Sequence, residues 1–103
     1  MMVYSVKYSR KAVEDLQKIK EDVFKACLDK NITVNYLKEL MDKIKEKELF
    51  LESGSPLMLM GMFTGYRFIV YKAYIAFYRI ESKEILIDRI LLGKSDYINI
   101  LNL

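Results

Sequence analysis

The residues best suited to chemistry are arginines and tyrosines in the C-terminal half of the chain. Three of the four arginines of this 103-residue sequence lie between Gly65 and Tyr97. Guanidinium groups bind phosphate oxygens bidentately and stabilise the negative charge that develops when a phosphodiester is cleaved. Arg67 and Arg89 are therefore candidate catalytic residues. The alternative is that each pairs with a nearby carboxylate or lies along a sheet edge.

Tyrosines and one lysine supply the other candidates. Tyr97 is a candidate catalytic acid or base, a role that needs cations nearby because free tyrosine ionises only at about pH 10. It can equally stack on a nucleic-acid base or pack its ring over a sheet. Tyr74 and Tyr78 are candidate binding residues for unpaired RNA bases, although cross-strand tyrosines also stabilise sheets. Lys94 is a candidate phosphate contact.

Three short alternating runs, rich in β-branched and aromatic residues, must position these side chains. The runs are Tyr66–Tyr71, Tyr74–Glu81 and Glu84–Leu92, and the pairs Lys72-Ala73 and Ser82-Lys83 separate them. Such short connections predict two hairpins. The segment is therefore interpreted as a three-stranded antiparallel meander.

Two-residue turns fix the register and sort the side chains onto two faces. The first face carries Arg67, Ile69, Tyr71, Tyr74, Ala76, Tyr78, Ile85, Ile87, Arg89 and Leu91. The second face carries Tyr66, Phe68, Val70, Ile75, Phe77, Arg79, Leu86, Asp88, Ile90 and Leu92. We expect the second, more apolar face to pack against helices, with Arg79 and Asp88 pairing diagonally. The first face would then be a binding surface.

The N-terminal half predicts one strand and two helices. Met2–Tyr8 alternates like a strand, and Ser9 is placed to cap a helix that runs to about Lys30. Thr33 is placed to cap a second amphipathic helix that runs to about Leu51. The short link between the helices predicts an antiparallel helical hairpin.

The remaining segments are predicted to be irregular. Glu52–Thr64 contains three breakers, Gly54, Pro56 and Gly61, and is interpreted as a loop. Gly93 ends the last strand, and Ser95 is placed to cap one helical turn in the C-terminal tail. The order β-α-α-β-β-β predicts an α+β fold, with a helical hairpin on one face of an antiparallel sheet.

Composition narrows the class of protein. The chain is 52% hydrophobic and 30% charged, which is ordinary for one globular domain over residues 1–103. Without an apolar run long enough to span a bilayer or a signal-peptide pattern, we expect a cytoplasmic protein. The absence of histidine, together with a single cysteine, Cys27, argues against a metal site and against an internal disulfide. The net charge of +3 permits an anionic partner without requiring one.

The sequence resembles the RelE/ParE superfamily of bacterial toxins. The resemblance rests on the element order and on the segments GYRFIVY, YIAFYRI and IDRILLGKSDY, taken together at about the right spacing. It implies the toxin of a type II, plasmid-stabilisation-like toxin–antitoxin system, which arrests growth and is neutralised by a cognate antitoxin protein. It implies no cofactor. The target is either DNA gyrase, as for ParE-type toxins, or translated mRNA on the ribosome, as for RelE-type toxins.

The resemblance also implies roles for single residues. Arg67 matches the arginine of the first meander strand, Arg89 an arginine of the last strand, and Tyr97 the C-terminal tyrosine of RelE-type endonucleases. Lys94-Ser95 stands where many relatives have two basic residues, and methionine and leucine stand before Gly61 where RelE has lysines. These departures favour inhibition of a protein over mRNA cleavage. A degenerate member that only binds its antitoxin is the third alternative.

Overall fold

The computed structural model describes residues 5–48 and 54–103 and contains one five-stranded sheet, two long helices and two short helical segments. The strands are β1 Ser5–Tyr8, β2 Ser55–Leu59, β3 Met62–Tyr71, β4 Tyr74–Glu81 and β5 Glu84–Leu92. The helices are α1 Arg10–Cys27, α2 Lys30–Lys45, a 3₁₀ turn Glu46–Glu48 and α3 Tyr97–Ile100. Residues 2–4 of the predicted first strand, residues 49–51 of the predicted second helix and the first residues of the predicted loop, 52–53, lie outside the described residues.

The start of α1 confirms the predicted cap. The Ser9 hydroxyl oxygen accepts a hydrogen bond from the Ala12 amide at 3.0 Å, which satisfies a free donor of the first turn. The same hydroxyl donates to the carbonyl of Asp88 at 2.7 Å. One side chain therefore begins the helix and fixes it to strand β5.

The start of α2 differs from the prediction, because Asp29 rather than Thr33 caps this helix. Leu28 adopts a left-handed conformation at φ 54° and reverses the chain at the end of α1. The Asp29 carboxylate then accepts hydrogen bonds from the amides of Asn31 and Ile32. Thr33 is buried in the first turn and donates its hydroxyl to the Asp29 carbonyl. The capping prediction was wrong because a left-handed leucine is not visible in the sequence pattern.

The sheet is mixed rather than wholly antiparallel. Its strand order is β1-β5-β4-β3-β2, and β1 pairs with β5 in parallel while the other three pairs are antiparallel. The chain passes from β1 through the helical hairpin to β2 at the opposite edge of the sheet, and returns through the antiparallel strands to β5. This gives the long connection that a parallel pair requires. The predicted α+β class and the helical hairpin on one face are confirmed.

Part of the predicted loop is a β-hairpin. Strands β2 and β3 are joined through Met60 and Gly61, which have φ angles of 52° and 79°. Positive φ at both central positions is the geometry of the two-residue turns that match strand twist. The prediction missed this hairpin because Met-Gly is a weaker turn signal than Asn-Gly.

A bulge in β5 changes the predicted faces. Both predicted turns are confirmed, with Tyr71 opposite Tyr74 and Glu81 opposite Glu84. Between them the register shifts and leaves Asp88 without an opposite residue. Beyond the bulge, Ile90 and Leu92 lie on the helix-facing side and Leu91 on the other side, opposite to the prediction. The Arg89 side chain still reaches Asp15 of α1.

The helices cover the first face, so the predicted assignment of the two faces was wrong. The core between helices and sheet consists of Ala12, Ile19, Leu40, Ile44, Ile69, Tyr71, Tyr74, Ala76, Tyr78, Ile85, Ile87 and Ile90. Tyrosine is buried at low cost when its hydroxyl has a partner. The Tyr71 hydroxyl donates to Glu39 at 2.6 Å, and the Tyr78 hydroxyl accepts from the Gly54 amide at 3.1 Å.

The second face packs against the C-terminal segment. Its cluster contains Leu57, Phe77, Leu91 and Leu101, with Tyr66, Phe68, Ile75, Tyr97 and Leu103 partly buried around them. Helix α3 follows Asp96 rather than Ser95 and has no side-chain cap, so the predicted Ser95 cap is absent. In the part of the chain that the structure describes, no helix combines the length and apolar character needed to cross a bilayer.

Candidate functional site

Arg89 is held by an aspartate of α1. Its Nε and Nη2 atoms donate to the two Asp15 carboxylate oxygens at 2.8 and 2.9 Å, and the Ile90 amide donates to Asp15 at 2.9 Å. The Arg89 and Asp15 side chains are only 22% and 12% exposed. The hydrogen bond to Asp15 raises the pKa of Arg89. Asp15 thus takes the Nε–Nη2 edge of the guanidinium and neutralises its charge, which leaves the Nη1–Nη2 edge for any further acceptor.

Arg67 lies at the base of the β2–β3 hairpin. It is opposite Tyr78 in the register, which places it on the helix-facing side of the sheet. Its Nη1 donates to the Gly54 carbonyl at 3.2 Å, and its guanidinium carbon lies 5.3 Å from the centre of the Phe63 ring. These contacts join the beginning of β2 to strand β3, and the cation over the ring adds a favourable electrostatic contact.

Tyr97 lies on the opposite side of the sheet from Arg67. Its ring centre is 5.1 Å from that of Phe77, and both belong to the cluster under the C-terminal segment. This geometry is the packing alternative considered from the sequence. The structure thus separates Tyr97 from Arg67 by the thickness of the sheet, and the catalytic roles of both residues stay predictions.

The predicted binding tyrosines are buried. Tyr74 is 8% exposed and Tyr78 is fully covered, because both face the helices. The stacking platform expected from the sequence is therefore not accessible in this structure. Lys94 is exposed in the turn that follows β5, and its predicted phosphate contact stays untested.

The second face instead carries a polar network that the sequence only partly predicted. Arg79 donates through Nε to Asp88 at 2.8 Å and through Nη1 to Glu81 at 3.0 Å, which confirms the predicted diagonal pair. The Tyr66 hydroxyl donates to the same Asp88 oxygen at 2.8 Å, and Arg79 lies 5.7 Å from the Tyr66 ring centre. Burial, followed by the Asp88 hydrogen bond, raises the pKa of Tyr66 to about 12.

The tyrosines whose pKa is raised by their surroundings are poorly suited to act as a base near neutral pH. Burial raises the pKa of Tyr8 to about 12, and burial together with the Glu39 hydrogen bond raises the pKa of Tyr71 to about 12. A general base works best when its pKa is close to the working pH. Within residues 5–48 and 54–103, no group of three or more acidic or cysteine side chains is arranged to hold a metal ion.

The tip of the β2–β3 hairpin exposes apolar side chains. Met58, Met60, Met62 and Phe63 are 49%, 96%, 74% and 51% exposed. Residues 53–66 contain no charged side chain, although 30% of the whole chain is charged. The methionines were visible in the sequence, but their common position on a hairpin was not.

Solved structures of bacterial toxins share this architecture. A chromosomal ParDE toxin–antitoxin system from P. aeruginosa matches with a TM-score of 0.72 and 22% identity, over 89% of this chain and 98% of that one. The RelBE2 toxin–antitoxin complex from Mycobacterium tuberculosis matches with a TM-score of 0.57 and 20% identity, over 87% and 98%. YafQ from E. coli strain BL21(DE3) matches with a TM-score of 0.51 and 21% identity, over 87% and 93%. The fold is that of the RelE/ParE-like toxins.

The sequence defines the family more narrowly. Residues 6–97 match the family described as the ParE toxin of the type II toxin–antitoxin system parDE. No curated protein has a significantly similar sequence. The match covers most of the chain, so this protein belongs to the ParE toxin family and is the toxin component of a type II toxin–antitoxin system.

Proposed function

We propose that this toxin arrests growth by binding and inhibiting a protein, with DNA gyrase as the family precedent, and that a cognate antitoxin holds it inactive. The observation that carries the proposal is the separation of the predicted cleavage residues. Arg67 faces the helices with Tyr78, whereas Tyr97 packs on Phe77 on the other side of the sheet. A phosphodiester cannot contact both at once in this conformation.

The state of the charged groups supports the same proposal. Arg89 forms a salt bridge with Asp15, and Arg79 forms salt bridges with both Asp88 and Glu81. Nucleic-acid binding draws its affinity mainly from cations that neutralise phosphates. Arginines already paired with carboxylates contribute little to such a surface.

The antitoxin partner is inferred from the structural relatives. The P. aeruginosa match is a ParDE toxin–antitoxin system, and the M. tuberculosis match is a toxin–antitoxin complex. A chain with the same fold, in the ParE toxin family, is expected to pair with an antitoxin encoded beside it. Co-expression with that neighbour should restore growth and yield a complex that purifies as one species.

The test of the target is inducible expression in bacteria, with growth followed alongside transcript ends mapped at nucleotide resolution. We expect growth arrest with intact transcripts, and inhibition of DNA supercoiling when the purified toxin is added to purified gyrase. Cleavage in phase with the reading frame would contradict the proposal and establish a ribosome-dependent mRNA endonuclease. Absence of growth arrest would contradict the proposal and favour a degenerate toxin that only binds its antitoxin.

Two variants of Tyr97 sharpen this test. Tyr97→Phe removes only the hydroxyl and keeps the ring on Phe77, so the variant should arrest growth as strongly as the wild type. Tyr97→Ala is the matched variant that also removes the ring. We expect it to lower stability by less than about 3 kcal/mol, the lower end of the loss for a buried aromatic ring, because this ring is only partly buried. Loss of toxicity in a folded Tyr97→Phe protein would indicate hydroxyl chemistry and contradict a purely inhibitory mechanism.

A further inference from the structure

The β2–β3 hairpin tip combines exposure with a defined shape. Met60 and Gly61 form a two-residue turn with positive φ, and Leu59 pairs directly with Met62. Met58 is opposite Phe63, so these two side chains share one face of the hairpin. The tip is therefore an ordered projection of apolar side chains.

The base of the same hairpin is fixed to the body of the protein. Leu57 is 7% exposed in the second-face cluster, and the Thr64 hydroxyl donates to the Leu57 carbonyl at 2.8 Å. The Arg67 guanidinium bonds to Gly54 and lies over the Phe63 ring. A fixed base holds the exposed tip in position before a partner arrives, which lowers the entropic cost of binding.

The side-chain types of the tip indicate which class of partner it can bind. Residues 53–66 lack any lysine or arginine, so Arg67 at the base is the one cation of this segment and its sequence neighbours, too few to hold a phosphate backbone. Thioether and aromatic side chains instead adapt to and fill apolar pockets of proteins. The complementary surface is an uncharged apolar cleft.

A second copy of this chain fits the tip poorly. An apolar patch of a few hundred Å² is common on a monomer and is too small to hold two copies together by itself, since a stable interface buries roughly 800 Å² per partner. Edge pairing through β2 is hindered by Pro56, which lacks an amide hydrogen, and by the irregular register between Pro56 and Met58. The tip is suited to be one strong contact within a larger interface with another protein.

We propose that the tip of the β2–β3 hairpin, formed by Met58, Met60, Met62 and Phe63, inserts into an apolar cleft of the protein that this toxin inhibits. The proposal rests on the proposed function, because it assumes a protein target. Met60 and Met62 act as the central anchors. Arg67 is a positioning residue, because its contacts with Gly54 and Phe63 hold the base of the hairpin.

The test compares two exposed apolar residues in the same backbone conformation. Met60 is 96% exposed at φ 52°, and Leu28 is 76% exposed at φ 54° between the two long helices. Met60→Ser, the double variant Met60→Ser/Met62→Ser, and the control Leu28→Ser are expressed at matched levels. Circular dichroism and thermal unfolding verify that each folds. The toxin level needed to halve the growth rate is then measured, with and without the cognate antitoxin.

We expect the double variant to need about 30-fold more toxin, the loss typical of a hot-spot contact. Leu28→Ser should keep wild-type potency, and all variants should still purify with the antitoxin. Unchanged potency of the folded double variant would overturn the proposal. Retained toxicity with loss of antitoxin binding would also overturn it, and would assign the tip to the antitoxin. Tip-dependent binding to vesicles of anionic phospholipid would assign it to a membrane surface instead.

Different results would refute the hairpin proposal and the proposed function. In-frame transcript cleavage by the wild type would refute inhibition of a protein, whatever the hairpin variants do. Equal potency of the wild type and the double variant would refute the role of the tip, even if transcripts stay intact and gyrase is inhibited.

Discussion

The two ends of the sheet are built for different purposes. Helix α1 packs against β5 and helix α2 against β3. The helix-facing side chains of β4 and β5 between them, Ala76, Tyr78, Ile85 and Ile87, are completely buried. The β2–β3 hairpin at the other end leaves three methionines and a phenylalanine exposed. The covered end therefore provides stability, while the uncovered end carries apolar surface that folding does not use.

The largest expected effect comes from shortening a core side chain at the covered end. Ile87→Ala removes buried methyl and methylene groups between the helices and the sheet, and should lower the free energy of unfolding by about 2–5 kcal/mol. Met62→Ala, at the hairpin tip, should change it by less than about 0.5 kcal/mol. Urea denaturation of the purified proteins measures both. Equal losses would contradict the division between a stabilising end and a contact end.

The Asp15–Arg89 pair should give the next largest effect. Asp15→Asn leaves the Arg89 charge without its carboxylate and weakens the acceptor of the Ile90 amide, so we expect a loss of about 2 kcal/mol. Glu14→Gln is the matched control, because Glu14 is exposed, pairs with Arg10 at 3.7 Å and acts on Arg89 through a weaker charge attraction than Asp15 does. It should matter by less than about 0.5 kcal/mol. If both variants unfold at the same urea concentration, Asp15 does not hold β5 to α1 in the way the contacts indicate.

The smallest expected effect is a loss of stability at high pH. The pKa of Tyr71 is about 12 in the folded protein, above the ordinary value of 10, because the hydroxyl is buried and donates to Glu39. The unfolded chain therefore loses this proton first, and the stabilisation present below pH 10 is lost as the pH rises to 12. Tyr71→Phe should show a shallower decline when urea midpoints are compared between pH 8 and 11. The hairpin tip has no ionisable side chain and cannot contribute. Identical pH profiles for the two proteins would refute the assignment to Tyr71.

The pattern of side chains predicted a large part of the fold. Alternating apolar and aromatic residues predicted β4 and β5 at their observed bounds and both turns of the meander, because the period of two is a local property of strands. Ser9 was recognised as a cap because its hydroxyl acts within one helical turn. The family followed from motifs that are also local.

The predicted site depended on contacts between distant residues and was less accessible to sequence reasoning. The pairing of Arg79 with Asp88 was predicted, since both lie on neighbouring strands of one hairpin. The pairing of Arg89 with Asp15 joins residues 74 positions apart and has no local signal. The burial of Tyr74 and Tyr78 likewise depends on which face the helices cover.

The sequence by itself determined the two long helices, the meander strands with their turns, and the toxin family, because propensity, periodicity and motifs act over a few residues. Only the tertiary structure decided which sheet face lies under the helices, where Asp88 interrupts the ladder, and that β1 joins β5 in parallel. A bulge of one residue exchanges the two faces of a strand, and its position reflects packing across the whole domain. The same packing covers the tyrosines that the sequence offered as a binding surface and leaves the methionine hairpin exposed.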